Sequence, residues 1–346
     1  MLIEEKQWTP FFPWKALLYP RECEGIVKGD FLPPVVLHIY VTNKCNSNCA
    51  WCIMREERAL GGELDRDVFR DIVEQAIKLG VKAIHISGGG EPLLYKHLHI
   101  LDRFPGKKIL STNGIAIRDT YSARDLWKLF DRIRISIDAG SSGVYDDVRG
   151  GELTFCKVLD NCRALSEDDG RDGTKTLGLG FVLDHNNWKD TFDFCQIPKV
   201  RDFDADFLHI RPAYYPRGSE EDRMVREIIR PAYHLCEAAR GATNVPIFAI
   251  SDKFRGYWTP RSTVYCYATP LHAVVTATAE FIVCQDVFIR FGDLKRQRFG
   301  EIWGGHEHKE AIARIGTDKC PRCVMNNANE IIEKVFVEDQ IMKELL

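Results

Sequence analysis

Residues 35–54 read VVLHIYVTNKCNSNCAWCIM, and the fold turns on how they are understood. Val35 to Val41 is an apolar, β-branched run entered from Pro33-Pro34 and broken only by His38, which predicts a buried strand. The chain then passes at once into a polar loop carrying Cys45, Cys49 and Cys52 in a C-x3-C-x2-C arrangement. Such a loop leaves the C-terminal end of a strand, where α/β folds place their ligand sites. Thiolates select soft metals and iron–sulfur clusters. Three of them satisfy three irons of a [4Fe–4S] cube and leave the fourth open. A structural zinc site would close itself with a fourth ligand nearby, and no histidine stands within the loop. Three packed cysteines are the bland alternative, and the residues that follow argue against it.

The rest of the chain sets the frame. Its 346 residues allow about two domains at roughly 150 residues each. Lys and Arg number 47 against 50 Asp and Glu, a net charge of -3, which argues against a nucleic-acid coat. Apolar residues at 45% and charged residues at 28% predict a globular chain without long disorder. No apolar run approaches the roughly 18 residues of a membrane span. Glu4, Glu5 and Lys6 interrupt the N-terminus, so no signal peptide is expected and the predicted location is cytoplasmic. Twelve cysteines in a reducing compartment point to metal binding or chemistry rather than disulfides.

Further strands follow at regular intervals. Residues 82–87 end in Gly88-Gly89-Gly90-Glu91-Pro92, and 107–110 run into Ser111-Thr112-Asn113-Gly114. Residues 132–137 lead to Asp138-Ala139-Gly140, with Ser136 and Asp138 alternating away from apolar neighbours. Two more strands are read at 176–183 and 206–210, with a helix at 188–195 between them. Val68, Phe69, Ile72, Val73, Ala76 and Ile77 recur at helical spacing and stop at Gly80, while Leu126, Leu129 and Phe130 give a shorter apolar face. Strand and helix alternate six times without a hairpin signal, which predicts a parallel sheet with right-handed crossovers.

With the cysteine loop, these turns resemble the radical S-adenosylmethionine (SAM) superfamily. The resemblance implies an α/β fold, an incomplete (β/α)6 barrel open at its strand C-termini. It implies a SAM amino group received at Gly88, Gly89, Gly90 and Glu91, where glycines permit a positive φ and close backbone approach. It further implies a polar turn at Asn113, ribose contacts from Ser136 and Asp138, and Arg149 near the SAM carboxylate. Trp51 matches an aromatic that shields the cluster, and Leu183, ending the fifth strand, is a candidate for adenine packing. In the family, the open iron chelates SAM, and one electron yields a 5'-deoxyadenosyl radical that abstracts a substrate hydrogen, the cofactor doing the hard chemistry. No catalytic residue is assigned. Arg211, at the end of the sixth strand, is a candidate anchor for an anionic substrate by bidentate pairing, with Tyr214 and Tyr215 beside it. Each of these has a solvated or structural alternative.

Beyond Pro212 the rhythm changes. Residues 220–240 read as a helix, 245–250 as an extended run, 274–283 as a hairpin, and 301–303 and 307–315 as helices. Cys266 and Cys284 form a first piece, and after thirty-five intervening residues Cys320-Pro321-Arg322-Cys323 forms the second. Four thiolates hold either zinc or a [4Fe–4S] cluster, and spacing does not decide between them. The layout resembles the twitch domain, a shortened SPASM extension, which implies a second, auxiliary cluster; Ala279-Glu280 departs from the glycine common in relatives. The expected organisation is an arm at 1–33, the barrel at 34–215, and a linker helix with a small cysteine-rich α+β auxiliary-cluster domain at 216–346. Cys23, Cys156, Cys162, Cys195 and Cys236 lack ligand spacing and read as buried small hydrophobes, or one of them as a hydrogen donor.

A cluster fully ligated by protein suits electron transfer, which favours net oxidation, a dehydrogenase reaction, while epimerisation, decarboxylation and rearrangement stay open. The expected electron donor is a flavodoxin or ferredoxin. Only residues 1–34 precede the first strand, whereas peptide-modifying relatives carry a leader-binding domain there, so a sugar, aminocyclitol or nucleoside is favoured over a peptide. The alternative from another class is a non-catalytic zinc-binding interaction module using Cys266 to Cys323.

Overall fold

The computed structural model describes residues 13–150, 154–249, 254, 265–315 and 325–338, so Cys320 and Cys323 lie outside the described residues. Ten strands form one sheet: β1 (Val36–Thr42), β2 (Ala83–Gly89), β3 (Lys107–Thr112), β4 (Arg132–Ser136), β5 (Thr176–Leu183), β6 (Phe207–Pro212), β7 (Ile247–Ala249), β8 (His272–Val275), β9 (Glu280–Cys284) and β10 (Val287–Asp293). Their order is β10-β9-β8-β1-β2-β3-β4-β5-β6-β7. From β1 to β7 every neighbouring pair is parallel and follows chain order, the arrangement that repeated right-handed crossovers produce.

The crossover helices form where the sequence places their caps. Asp65 accepts hydrogen bonds from the Asp67 and Val68 amides and starts the helix Arg66–Leu79. Gly80 ends it at φ 75°, its amide turning back to the Ala76 and Ile77 carbonyls. The face so presented buries Phe69, Ile72, Val73 and Ala76 in the layer between sheet and helices. Ser122 and Asp125 cap the helix Ala123–Leu129 reciprocally.

Two features go past the expectation. A seventh parallel strand, β7, extends the sheet. The C-terminal hairpin does not fold away as a separate layer either, because β8 pairs in parallel with the free edge of β1, and β9 and β10 continue antiparallel. An uncovered β1 would leave a row of backbone donors and acceptors unpaired at the strand that carries the cysteine loop. Arg290 on β10 fastens the arrangement, reaching Glu57 at 2.5 Å and Glu280 at 3.1 Å. Glu57 belongs to the short helix Arg55–Ala59 that follows the cysteine loop.

Of the five cysteines without ligand spacing, Cys23, Cys162, Cys195 and Cys236 are buried. Burial pushes Cys23 up to about 11 and Cys236 up to about 12. Cys156 is exposed, since the helix Thr154–Glu167 turns it to solvent.

His308 makes acid sensitivity predictable. It stacks on Phe291 at 4.2 Å, and its Nδ1 accepts from the Gly304 amide at 3.1 Å. Burial, with Lys309 adding, holds its pKa down to about 3. An unfolded histidine titrates near 6.5, so between these values the unfolded state binds the additional proton. The stabilisation is therefore complete above pH ~6.5 and is lost as pH falls towards the folded value, by about 1.4 kcal/mol per pH unit. Unfolding midpoints measured from pH 7 to 4.5 should fall, and less steeply in His308→Gln; equal slopes would contradict the assignment.

Candidate active site

At the C-terminal ends of β1, β2 and β3, three loops are locked together by backbone contacts. The Gly90 amide donates to Thr42 O at 2.6 Å and the Glu91 amide to Lys44 O at 2.7 Å. A Cβ on Gly90 would stand 1.9 Å from the Lys44 carbonyl oxygen, so only glycine lets the turn lie against the cysteine loop. Gly88 and Gly89 adopt φ values of 39° and 69°. The Glu91 carboxylate is buried and accepts from Leu93 N at 3.0 Å, Thr112 Oγ1 at 2.5 Å and Asn113 N at 2.8 Å. Burial raises its pKa against the pull of those bonds. Asn113 Nδ2 in turn donates to Asn46 Oδ1 at 2.7 Å and Ser47 Oγ at 3.1 Å, both in the cysteine loop.

From β4 and the following helix Ser142–Arg149 comes a buried ion pair. Asp138 sits at φ 63°, an unusual backbone for an aspartate, and its Oδ1 accepts from Val182 N at 2.6 Å. Its Oδ2 lies 3.1 Å from Arg149 Nη1 but out of hydrogen-bond alignment, which leaves a buried acceptor without a hydrogen bond. Arg149 Nη1 also donates to Cys49 Sγ at 3.1 Å, and Nη2 donates to Ser136 O. Burial opposes the charge on Arg149, yet Cys49, Asp138 and Tyr145 outweigh it and hold its pKa above the ordinary value. The Asn48 amide donates to Arg149 O at 2.9 Å, so this helix end also carries the cysteine loop.

Cys45, Cys49 and Cys52 are all free thiols lining one cavity of about 650 Å3. Burial pushes the Cys45 thiol up, and Arg58 Nη1 stands 3.9 Å from Cys52 Sγ. The same cavity is lined by Trp51, Gly88, Gly89, Gly90, Glu91, Asn113, Ser136, Asp138, Arg149, Arg211 and Tyr214. Leu183 and Tyr215 are not brought there. Strand alternation turns Leu183 into the core and gives Val182 the cavity position, while the Tyr215 hydroxyl donates to Asp184 Oδ2 at 2.7 Å. Trp51 packs on Val148, Val182 and Ala213.

Below the rim a layer of histidine and arginine side chains lines the cavity. His38 and His85 stack at 4.3 Å, His38 Nε2 is hydrogen-bonded to Ser87 Oγ, and His85 Nε2 lies 2.9 Å from Ser111 Oγ. Burial holds His38 and His85 well below the usual histidine range and His272 down to about 4. Arg134 and His209 complete this layer. Sequence reasoning passed over these groups. Their signal was a period of two, polar residues at alternate positions of otherwise apolar strands: 85 and 87, 134 and 136, 209 and 211.

Cys266 is buried, with Asn329 Nδ2 at 3.8 Å from its Sγ, and Cys284 ends β9. Neither lines the cavity, but Ala268, Gln285, Asp286 and Met325 do, each within two residues of Cys266, Cys284 or Cys323. Among the described residues no three His, Cys, Asp or Glu side chains are grouped to hold a single metal ion.

The residues fit a [4Fe–4S] cluster with SAM beside it: three thiols at one cavity, an arginine donating to one of them, a glycine turn that a Cβ would fill, and an unmet carboxylate oxygen. Residues 39–196 match the Radical SAM superfamily profile. A probable GTP 3',8-cyclase of Methanosarcina acetivorans is 34% identical over 151 residues, 39% of this chain and 43% of that protein. The chain spans about half the length of the cyclase relatives it matches. The AdoMet-dependent heme synthase of Methanosarcina barkeri is 23% identical over 295 residues, 77% of this chain and 81% of that protein. Structures of Streptococcus suis SuiB bound to S-adenosylmethionine and to its precursor peptide SuiA superpose with TM-scores of 0.64 and 0.62 at 14% and 13% identity. They cover 90% and 91% of this chain and 73% and 75% of SuiB, and show the shared fold. Residues 39–196 are thus a radical SAM domain.

Proposed function

We propose that this radical SAM enzyme oxidises or otherwise tailors a polar small molecule held in the barrel lumen. One observation carries the reading: a single cavity runs from the three thiols and the glycine turn down to the histidine and arginine layer. Its volume, about 650 Å3, lies in the range of small-molecule sites. Cluster and SAM, when bound, supply one-electron bond cleavage and hydrogen abstraction.

Cys45, Cys49 and Cys52 would hold the cluster. Because the oxygens of Glu91 are engaged by protein donors, the SAM ammonium would meet the backbone of Gly88 to Gly90. Asp138 Oδ2, a buried acceptor without a hydrogen bond, would take a ribose hydroxyl. Trp51 and Val182 exclude water from the rim. Cys266, Cys284, Cys320 and Cys323 would hold a second cluster, and the cavity-lining neighbours of three of them support an electron path to substrate. Ten described cysteines, all free, suit a reducing cytoplasm with a flavodoxin or ferredoxin donor. No helix among the described residues is long and apolar enough to cross a membrane.

Anaerobically reconstituted protein should carry about eight irons per chain and release 5'-deoxyadenosine from SAM with dithionite. The Cys45→Ala/Cys49→Ala/Cys52→Ala variant should release none, and release at the wild-type rate would remove the reading. Cys320→Ala/Cys323→Ala should lose about half the iron. Stoichiometric zinc in a colourless protein would instead favour the interaction module.

A further inference from the structure

Two guanidiniums line the same cavity at different levels of the sheet. Arg134 on β4 and Arg211 on β6 both line it, from inward positions on strands separated by β5. On β5 the register partner of Ser136 is Gly180, where a Cβ would already touch Arg134 Cδ at 3.5 Å. A glycine here keeps free the space beside the guanidinium, as strand glycines do where a ligand approaches. Arg134 Nη1 donates to His209 Nδ1 at 2.9 Å, but its Nε is buried without a hydrogen-bond partner. Arg211 lies 5.8 Å from the centre of the Tyr214 ring.

The carboxylates of the cavity are committed elsewhere. Glu91 takes backbone and Thr112 donors, and Asp138 pairs with Arg149 while also acting on Arg134. Among the described residues, neither Arg134 nor Arg211 is ion-paired with a carboxylate. Burial, then the charges of Arg211 and Arg132, lowers Arg134 to about 9 against the pull of Asp138, so the charges of the two lumen arginines act on each other. A buried, uncompensated charge is costly unless something supplies the opposite sign.

We infer that Arg134 and Arg211 clamp an anionic group of the substrate, a carboxylate or a phosphate, in the lumen between the rim and the histidine layer. The inference rests on the reading of the rim as the SAM site and narrows the substrate to an anionic small molecule. Guanidinium forks match the oxygen spacing of both groups. Lys15 also lines the cavity. A cationic aminocyclitol has the wrong sign for this chamber, and a neutral sugar supplies no opposite charge.

The test is thermal unfolding of the reconstituted holoenzyme with SAM, in sodium phosphate, sodium succinate or sodium chloride at matched ionic strength. One of the two oxyanions should raise the wild-type midpoint by about 2–4 °C beyond chloride, and which one does so separates phosphate from carboxylate. Arg134→Gln and Arg211→Gln should each lose that increment, and Arg134→Lys should keep part of it. Without added anion, Arg134→Gln should unfold no earlier than wild type, because it removes an uncompensated charge. No increment in wild type, an equal increment in both glutamine variants, or an Arg134→Gln midpoint several degrees lower would overturn the clamp. Failure of the SAM reading registers separately: wild type would release no 5'-deoxyadenosine while the anion increment persisted, leaving the clamp standing and removing the chemistry above it.

Discussion

Under the proposed function, Gly90→Ala should cost nearly all SAM cleavage. The added methyl would stand 1.9 Å from the Lys44 carbonyl oxygen and 2.5 Å from its carbon, and both neighbours are backbone. Backbone cannot rotate away as a side chain can. The two strands here are also pinned by the 2.6 Å bond from Gly90 N to Thr42 O and the 2.7 Å bond from Glu91 N to Lys44 O. The contact is relieved only if the cysteine loop moves, and Cys45 is the next residue along. Overpacking of this kind costs about 1–3 kcal/mol, and a displacement near 1 Å at a reacting centre costs on the order of 100-fold in rate. The expected result is a fall of about that size in 5'-deoxyadenosine release, with less iron retained after reconstitution. Gly143→Ala is the control, because its Cβ meets nothing within 4 Å. Wild-type release and iron content in Gly90→Ala would show that the turn and the cysteine loop are not coupled.

How far the sequence could be read follows from the range of the interactions involved. Asp65 and Gly80 cap one helix through contacts a few residues apart, and β1 is announced by its own apolar run, so both are legible locally. The cysteine spacing is legible for the same reason: one loop has to aim three sulfurs at one place. What sequence did not disclose depends on distant partners. Nothing near Cys284 says that its hairpin will dock on the edge of β1, some two hundred and thirty residues earlier, because a strand edge accepts any suitable strand. Ser136 and Asp138 were legible as a polar pair of alternate residues, but not that Asp138 would face Arg149. Leu183 marks the resolution limit of such a reading: a one-residue step along a strand exchanges cavity for core, and Val182 takes the place. The imidazoles of His38 and His85 resemble core histidines until both strands are seen side by side.

Arg149→Met should be the most destabilising substitution at the rim, and the double variant Asp138→Asn/Arg149→Met should recover much of the loss. Arg149 and Asp138 have side chains 6% and 1% exposed, so neither charge has water to fall back on. Removing one member strands the other, at about 3–5 kcal/mol, whereas removing both charges together is often close to neutral. For a chain of this size the single variant should melt on the order of 10 °C below wild type, with the double variant well above it. Arg149→Lys should fall between, keeping the charge and losing the fork that reaches Cys49 and Ser136 together. Cluster potential gives an independent readout. Hydrogen bonds to ligating sulfurs help to set it, so loss of the 3.1 Å contact with Cys49 Sγ should make the cluster harder to reduce in both methionine variants, whatever their stability. Equal melting of single and double variants would show that Asp138 does not depend on Arg149, and an unmoved midpoint potential would show that the arginine does not act on the sulfur. The pair lies where the unmet Asp138 oxygen, the cysteine loop and β4 meet, so a change in either residue reaches all three.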